Sequence, residues 1–296
     1  MGRNFPKYNE DNAGIYDFKE VGFKAFVAVA LIQSTNAMPP LPPHLHEKLF
    51  EISIFNEGMQ LIIVNDNEYT TKGGDVLVVC PGETHSTGNK PRTTGSVHWL
   101  TFEKLTDNNN FFNLPVAENR ALCKRLNNIP RRFFKVSQEM RSSLDMIMKI
   151  CTEPITPLWK TEVRNLLLRF IFALIHQSES GSDSFISDPI NKVMQYIRKN
   201  VCDLSPQVPE LAAMIDLSDS RFKTRFLKEV GTTPVSYINA IKVEKAKTLL
   251  SEPNTSILDV ATKLGFGSSQ YFSTVFKRIT TSTPTQWMKE HVTPKQ

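Results

Sequence analysis

The chain has 296 residues, of which 40% are hydrophobic and 22% are charged, and its net charge is +5. This balance is ordinary for a soluble protein of about two domains, each with its own hydrophobic core. No segment approaches the roughly 20 apolar residues of a membrane span, and the polar N-terminus lacks the apolar segment of a secretion signal. We therefore expect a cytoplasmic protein with no membrane partner.

The four cysteines lie inside apolar stretches and show no CxxC spacing. They are Cys80, Cys123, Cys151 and Cys202. This pattern predicts reduced core residues rather than disulfides or zinc ligands. The charge is uneven, because residues 183–296 carry 15 Lys and Arg against 11 Asp and Glu and so hold four of the five surplus positive charges. Such a surplus in a small domain is compatible with a polyanionic partner.

From about Lys24 to Phe102 the apolar residues come in five short runs. They read KAFVAVALI, EISIF, QLIIV, DVLVVC and SVHWLTF. Turn-forming residues such as Gly73-Gly74 and Pro81-Gly82 separate them. Short, closely spaced strands with turns between them predict an antiparallel β-barrel or sandwich.

After about Ser137 the apolar spacing becomes helical. One stripe contains Leu144, Ile147, Met148 and Cys151, and a second contains Val163, Leu166, Leu167 and Phe170. Two amphipathic helices are therefore predicted to follow the barrel. Their apolar sides either pack on the barrel alone or also bind a partner chain, and of these we favour a homodimer.

The stretch from Ser178 to Ser184 reads SESGSDS and is typical of a flexible connection. We predict a first domain at residues 1–178, a linker at 179–187 and an all-helical domain at 188–296. Pro189 suits the first position of the helix that opens the second domain.

Two windows of the second domain repeat each other at an offset of 49 to 50 residues. Each contains a short apolar helix face, a tight turn and a second helix with two phenylalanines on one side. The matching faces are Val208, Leu211, Ala212, Ile215, Phe222 and Phe226, and then Ile257, Val260, Ala261, Leu264, Phe272 and Phe276. This order predicts two helix-turn-helix units. One such pattern also occurs in ordinary helical bundles, so the duplication is what favours DNA binding.

The second helix of each unit has a polar side opposite its phenylalanines. The outward residues are Ser220, Lys223, Thr224 and Leu227 in the first unit, and Ser269, Gln270, Ser273, Thr274 and Lys277 in the second. Glutamine can bind adenine, lysine can reach guanine or phosphate, and threonine can bond a base or pack on the thymine methyl. A joining helix from Pro234 to about Leu250 would hold both units at a fixed separation. We therefore predict that they enter successive major grooves of double-stranded DNA.

Residues 189–290 resemble the DNA-binding domain of the AraC/XylS family of bacterial transcription regulators. The resemblance is carried by Gly265-Phe266, Tyr271-Phe272-Ser273, Phe276-Lys277 and Thr283-Pro284, within Ile257 to Trp287. It implies that Lys242 approaches phosphate and that six side chains face bases: Ser220, Lys223, Thr224, Ser269, Gln270 and Thr274. The first unit departs from the family pattern. Where the family commonly has Phe-Lys, it has Phe226-Leu227-Lys228, which moves the lysine about 100° around the helix.

The predicted barrel carries His44 and His46, then Glu51 and His85. Strand alternation puts His44 and His46 on the same face. The pattern resembles the cupin motif that gathers three histidines and a glutamate around one ion, for which iron, manganese or zinc would be suitable. Metal binding, pocket lining and a structural role stay open, and we favour pocket lining without a cofactor. Trp99 could stack on a ligand or belong to the core.

Together these features predict a cupin-like barrel followed by a double helix-turn-helix domain. We expect a sequence-specific transcription regulator, not an enzyme, that is controlled by a small-molecule effector bound in the barrel. RNA polymerase is a further possible partner. The alternatives are a metal-dependent cupin enzyme, an isomerase or dioxygenase, whose helical tail serves assembly, and a scaffold that binds neither metal nor DNA.

Overall fold

The computed structural model describes residues 7–10, 13–19, 23, 27–106, 110–180, 187–201, 206–252 and 255–291. The first part of the chain is rich in β-strands. They are β1 (Lys7–Glu10), β2 (Ala13–Asp17), β3 (Val27–Ser34), β4 (His44–Leu45), β5 (Leu49–Glu57), β6 (Met59–Val64), β7 (Asn67–Lys72), β8 (Asp75–Val79), β9 (Thr84–Ser86), β10 (Gly95–Glu103) and β11 (Phe133–Lys135).

The strands pair antiparallel in two sheets. The larger sheet has the order β1-β2-β3-β10-β5-β8-β11, and the smaller has the order β4-β9-β6-β7. Side chains alternate along β5, where Phe50, Ile52 and Ile54 enter the main hydrophobic core while Glu51 and Ser53 face the space between the sheets. This alternation of a strand separates the structural face of the larger sheet from its cavity face.

Three helices follow the strands, α1 (Val116–Asn127), α2 (Gln138–Thr152) and α3 (Trp159–Ser180). The main core combines α2 and α3 with the outer face of the larger sheet. Helices α2 and α3 are the two amphipathic helices predicted after about Ser137, whereas α1, which lies before them in the chain, was not predicted. The sequence pattern does not predict α1 because only Asn119, Leu122 and Leu126 of its twelve residues are buried, which leaves a weak apolar stripe.

The last part of the chain is helical. It contains α4 (Asp188–Asn200), α5 (Val208–Ala213), α6 (Asp219–Val230), α7 (Pro234–Leu250), α8 (Ile257–Lys263), α9 (Ser269–Thr280) and α10 (Pro284–His291). The buried residues form two clusters, and α7 contributes Tyr237 and Ile238 to the first and Val243, Ala246 and Leu250 to the second. Helix α7 therefore joins the two helix-turn-helix units through the cores of both.

Two expectations from the sequence concern residues outside the described part. These are the core position of Cys202 and most of the connection predicted at 179–187. The other three cysteines form no disulfide with one another and are at least partly buried, as expected. None of the helices in the described ranges is long and apolar enough to cross a membrane.

Candidate nucleic-acid interface and ligand pocket

The first helix-turn-helix unit consists of α5 and α6. Ser218 precedes α6, and Phe222 and Phe226 are fully buried. The Phe226 ring packs 5.6 Å from the ring of Tyr237. Leu227, the residue after Phe226, is half-buried. The exposed face carries the residues expected from the sequence, Ser220, Lys223 and Thr224.

The second unit, formed by α8 and α9, has the same plan. The hydroxyl groups of Ser256 and Ser268 each accept a bond of 3.0 Å, from the backbone amides of Asp259 and Tyr271, so both helices begin at N-caps. Phe272 and Phe276 are buried. On the opposite face Gln270, Thr274 and Lys277 are exposed, and Ser269 and Ser273 are half-buried.

Several outward hydroxyl groups bond to their own helix. Thr224 Oγ1 donates to the Ser220 carbonyl at 3.0 Å, and Thr274 Oγ1 donates to the Gln270 carbonyl at 3.0 Å. Ser273 makes the same kind of bond, 2.8 Å long, to Ser269. Such a bond uses the single hydroxyl donor and leaves oxygen lone pairs for other partners.

Lys242 lies inside the second unit. Its ammonium donates to the Gly265 carbonyl at 3.2 Å and lies 4.9 Å from the centre of the Phe266 ring, and the residue is only 5% exposed. Burial lowers the pKa of this ammonium. In this position Lys242 braces the turn between α8 and α9. Its contact with phosphate stays a prediction, and it would require the ammonium to leave the turn.

A cavity of about 440 Å³ lies between the two sheets. Much of its wall is aliphatic or aromatic, including Ala30, Ile32, Phe55, Ile62, Val79 and Val97. The residues that the sequence analysis assigned to a ligand pocket all lie in this wall: His44, His46, Glu51, His85 and Trp99. Met38, Met59 and Arg92 also line it. These three were not predicted from the sequence, because each lies at a strand end or in a connecting loop.

The four polar residues of the wall converge on one point. Ligand atoms of His44, His46, Glu51 and His85 all lie within 4.8 Å of one another. The pairing of β4 with β9 sets His44 opposite His85, and their rings are 4.1 Å apart. Glu51 Oε2 lies 3.5 Å from Nε2 of His46 and 3.4 Å from Nε2 of His85. We call these four residues the histidine cluster.

The histidine cluster holds a charged carboxylate. Burial alone would raise the pKa of Glu51, but the close polar contacts of His46 and His85, with a smaller influence of Trp99, outweigh it and hold this pKa at about 2. The hydrogen bond with Glu51 raises the pKa of His46 above its ordinary value of 6.5, although partial burial lowers it. Both shifts follow from the stabilisation of a charge by a close polar partner.

Three imidazoles and one carboxylate form a donor set that suits a divalent transition metal. Both ring nitrogens of His85 are buried and have no hydrogen-bond partner within the described residues, so they remain available to a ligand. The cluster therefore fits a metal ion. Because the same residues line the pocket, the cluster also fits the polar end of a small molecule.

Two loops that line the pocket also contact the helical domain, in a contact that we call the seam. The Ala37 amide donates to the carbonyl of Arg278, in the last turn of α9, at 2.6 Å, and the Gly58 amide donates to the carbonyl of Gly231, which ends α6, at 3.0 Å. Met59 packs against the core of the first unit. Each outward-facing helix thus ends on a loop that contributes to the pocket wall.

Matches to two family profiles agree with these features. The profile described as AraC-like ligand binding domain matches residues 26–143, and a profile described as helix-turn-helix domain matches residues 211–290. Together the fold, the pocket and the paired helix-turn-helix units define a transcription regulator with a ligand-binding and a DNA-binding domain.

Relatives extend over both domains. The HTH-type transcriptional activator RhaS of Klebsiella pneumoniae is 24% identical over 264 residues, which cover 86% of this chain and 90% of that protein. The arabinose operon regulatory protein of Escherichia coli is 23% identical over 254 residues, covering 81% and 80%. The xylose operon regulatory protein of Escherichia coli is 35% identical over 103 residues, covering 34% of this chain and 26% of that protein.

The chain belongs to the AraC family of transcription regulators. Its relatives are regulators rather than enzymes, so the predicted regulator is confirmed and the alternative of a cupin enzyme is not retained.

Proposed function

We propose that the chain binds DNA sequence-specifically and that a small molecule in the barrel pocket controls this binding. The observation that carries the proposal is the seam, which ties the pocket wall to the ends of α6 and α9. A ligand that favours one arrangement of the pocket loops changes the position of both helices, and this differential binding is what allosteric control requires.

On the DNA side, the exposed faces of α6 and α9 read bases in successive major grooves. The base-facing residues are Ser220, Lys223, Thr224, Ser269, Gln270, Ser273 and Thr274. Lys277 is exposed near the end of α9 and binds phosphate. Helix α7 keeps the two faces at a constant separation because it belongs to both hydrophobic clusters.

On the ligand side, the cavity favours a small molecule with an apolar body and a polar end. The aliphatic wall takes the body, and His44, His46, Glu51 and His85 take the polar end, either directly or through a metal ion. Trp99 forms part of the same wall, and its polar influence on Glu51 helps to lower the pKa of that carboxyl group.

Assembly as a homodimer is a further part of the proposal. Three large apolar side chains are exposed here: Met146 on α2, Phe172 on α3, and Leu158 directly before α3. Burial of such surface stabilises association. Contact with RNA polymerase and action in the cytoplasm remain expectations from the sequence. Sedimentation velocity of the full chain tests the dimer.

Replacing Gln270 by alanine is expected to change base preference at one position of the bound sequence. The amide can bond adenine on two atoms, and loss of such a contact costs about 1–3 kcal/mol of discrimination. Lys277→Ala is the matched comparison, because loss of a phosphate contact weakens binding to all sequences alike and makes affinity less sensitive to salt. Selection from a random duplex pool, followed by titration at several salt concentrations, measures both effects.

Equal affinity of the wild type and both variants for every duplex would contradict the assignment of α9 to DNA. A salt-independent affinity would contradict it as well, because contacts with phosphate release counterions.

Replacing Glu51 by glutamine is expected to lower the pKa of His46. The hydrogen bond with Glu51 is the main cause of the raised pKa, and the remaining influence is burial, which lowers it. In the wild type this contact stabilises the fold below about pH 6.5, and the gain is lost as the pH rises through the raised pKa. NMR titration of the imidazoles in chelator-treated protein measures the shift.

Glu47→Gln is the control, because Glu47 is an exposed carboxylate close in sequence. An unchanged His46 titration in Glu51→Gln would contradict the geometry of the histidine cluster. The same titration before chelator treatment reports on metal, since an imidazole bound to a metal ion does not take up a proton in this range.

A further inference from the structure

We propose that each helix-turn-helix unit reads an A·T base pair through one threonine whose hydroxyl can only accept a hydrogen bond. The two residues are Thr224 on α6 and Thr274 on α9. This inference rests on the proposed function, and it assigns a base pair to a particular atom of each helix.

The two threonines occupy equivalent positions of the repeat. They are 50 residues apart, and each lies two residues before the second phenylalanine of its helix, Phe226 or Phe276. Both are exposed. Each hydroxyl donates to the carbonyl four residues earlier, at 3.0 Å in both helices. The repeat therefore preserves the residue, its exposure and its internal hydrogen bond.

The internal bond decides what the hydroxyl can do outside the helix. A threonine hydroxyl has one donor and two acceptor lone pairs. The hydroxyl hydrogen is already bonded to the backbone carbonyl of Ser220 in one helix and of Gln270 in the other. The hydroxyl oxygen can therefore only accept a hydrogen bond from a partner in the groove. The γ-methyl group remains as an apolar contact on the same side chain.

Base edges in the major groove differ in what they offer to such a side chain. Guanine presents two acceptors, which an acceptor-only hydroxyl cannot bond, and the available donors are the amino groups of adenine and cytosine. Only the A·T pair offers a donor together with a methyl group, on thymine. The side chain carries the complementary pair, an acceptor oxygen and a methyl, so A·T is the pair that satisfies both.

Neighbouring residues lack this combination. Ser273 also donates to its own helix, but it has no methyl group and is half-buried. Lys223 and Gln270 carry donors of their own and can bond acceptors on the bases. Because the two units dock in successive grooves under the proposed function, the two A·T pairs should lie about one helical turn, roughly 10 base pairs, apart.

The experiment uses the full chain and a pool of random duplexes, from which the wild type, Thr274→Val and Thr274→Ser select their preferred sequences. The wild type should enrich two A·T pairs about one turn apart. Valine keeps the methyl group and the shape of threonine but removes the acceptor oxygen. Because a hydrogen bond contributes about 1 kcal/mol net, Thr274→Val should bind the selected duplex roughly fivefold more weakly than the wild type. Thr224→Val should affect the other A·T pair.

A second measurement removes only the thymine methyl, by placing deoxyuridine at the assigned position. The wild type should lose about fourfold in affinity, as expected for one buried methyl group. Thr274→Ser should lose nothing further, because it has no methyl to pack against thymine. Thr152→Val is the matched control, since Thr152 also donates to its own helix, at 2.8 Å to the Lys149 carbonyl, but lies on α2.

The outcomes separate the two levels of the proposal. Failure of the wild type to enrich any sequence would overturn the proposed function and this inference together. Enrichment of a sequence with G·C at the position changed by Thr274→Val would overturn the inference alone. So would an equal effect of deoxyuridine on the wild type and on Thr274→Ser.

Discussion

Replacing Gly231 by alanine should open the seam between the β-rich domain and α6. Gly231 has φ +80°, a conformation that costs a residue with a Cβ about 1–2 kcal/mol. A Cβ here would also overlap the amide nitrogen of Gly73 and lie 2.6 Å from its Cα, which are backbone atoms that cannot rotate away. The Gly58 amide, which donates to the Gly231 carbonyl, should then exchange its hydrogen at least about tenfold faster.

Gly82→Ala is the matched control. Gly82 has φ +83°, and a Cβ there would meet no atom within 4 Å in the described part of the chain, so the two variants share the backbone strain but not the collision. Exchange at Gly58 should be unchanged in Gly82→Ala. Equal exchange rates in the two variants would mean that the seam does not hold the domains together. If the seam does transmit ligand binding, Gly231→Ala should also lose the effect of a ligand on DNA affinity.

The sequence predicts local features of this chain well. The N-cap at Ser268 and the buried positions of Phe272 and Phe276 follow from capping chemistry and helical spacing, and the structure has all three. The inclusion of Glu51 and His85 in the histidine cluster came from the resemblance to the cupin motif. The common face of His44 and His46 was predictable from spacing, because they are two residues apart beside a strand. These signals lie within a few residues of one another.

Features that depend on distant parts of the chain were not predictable. The approach of Gly73 to Gly231 joins residues 158 positions apart, and neither glycine differs in sequence from an ordinary turn residue. Lys242 is a second example, since the resemblance implies a phosphate contact whereas the ammonium bonds the Gly265 carbonyl. A long side chain on a helix can point to solvent or cover a neighbouring turn, and only packing decides between them.

Replacing Phe272 by alanine is expected to destabilise the second helix-turn-helix unit by about 3–5 kcal/mol, the usual cost of removing a fully buried phenylalanine. Phe272 is 0% exposed, and its ring lies 5.1 Å from that of Phe266 and 5.6 Å from that of Phe276. This loss is large beside the 5–15 kcal/mol that stabilises a typical domain. Denaturant unfolding measures it, and duplex affinity should fall with it because α9 loses the core that orients its outer face.

Leu258→Ala on α8 truncates a large apolar side chain of the same unit that is 61% exposed, and its cost should be much smaller because less area returns to water. The main core of the β-rich domain and the core of the second helix-turn-helix unit are separate clusters. Phe272→Ala should therefore leave hydrogen exchange in β10 unchanged while it accelerates exchange in α8 and α9. A loss in Phe272→Ala no greater than that in Leu258→Ala would mean that the phenylalanine stripe of α9 is not its core. The outward assignment of Gln270, Thr274 and Lys277 would then fail, because their direction is defined only as the side opposite that stripe.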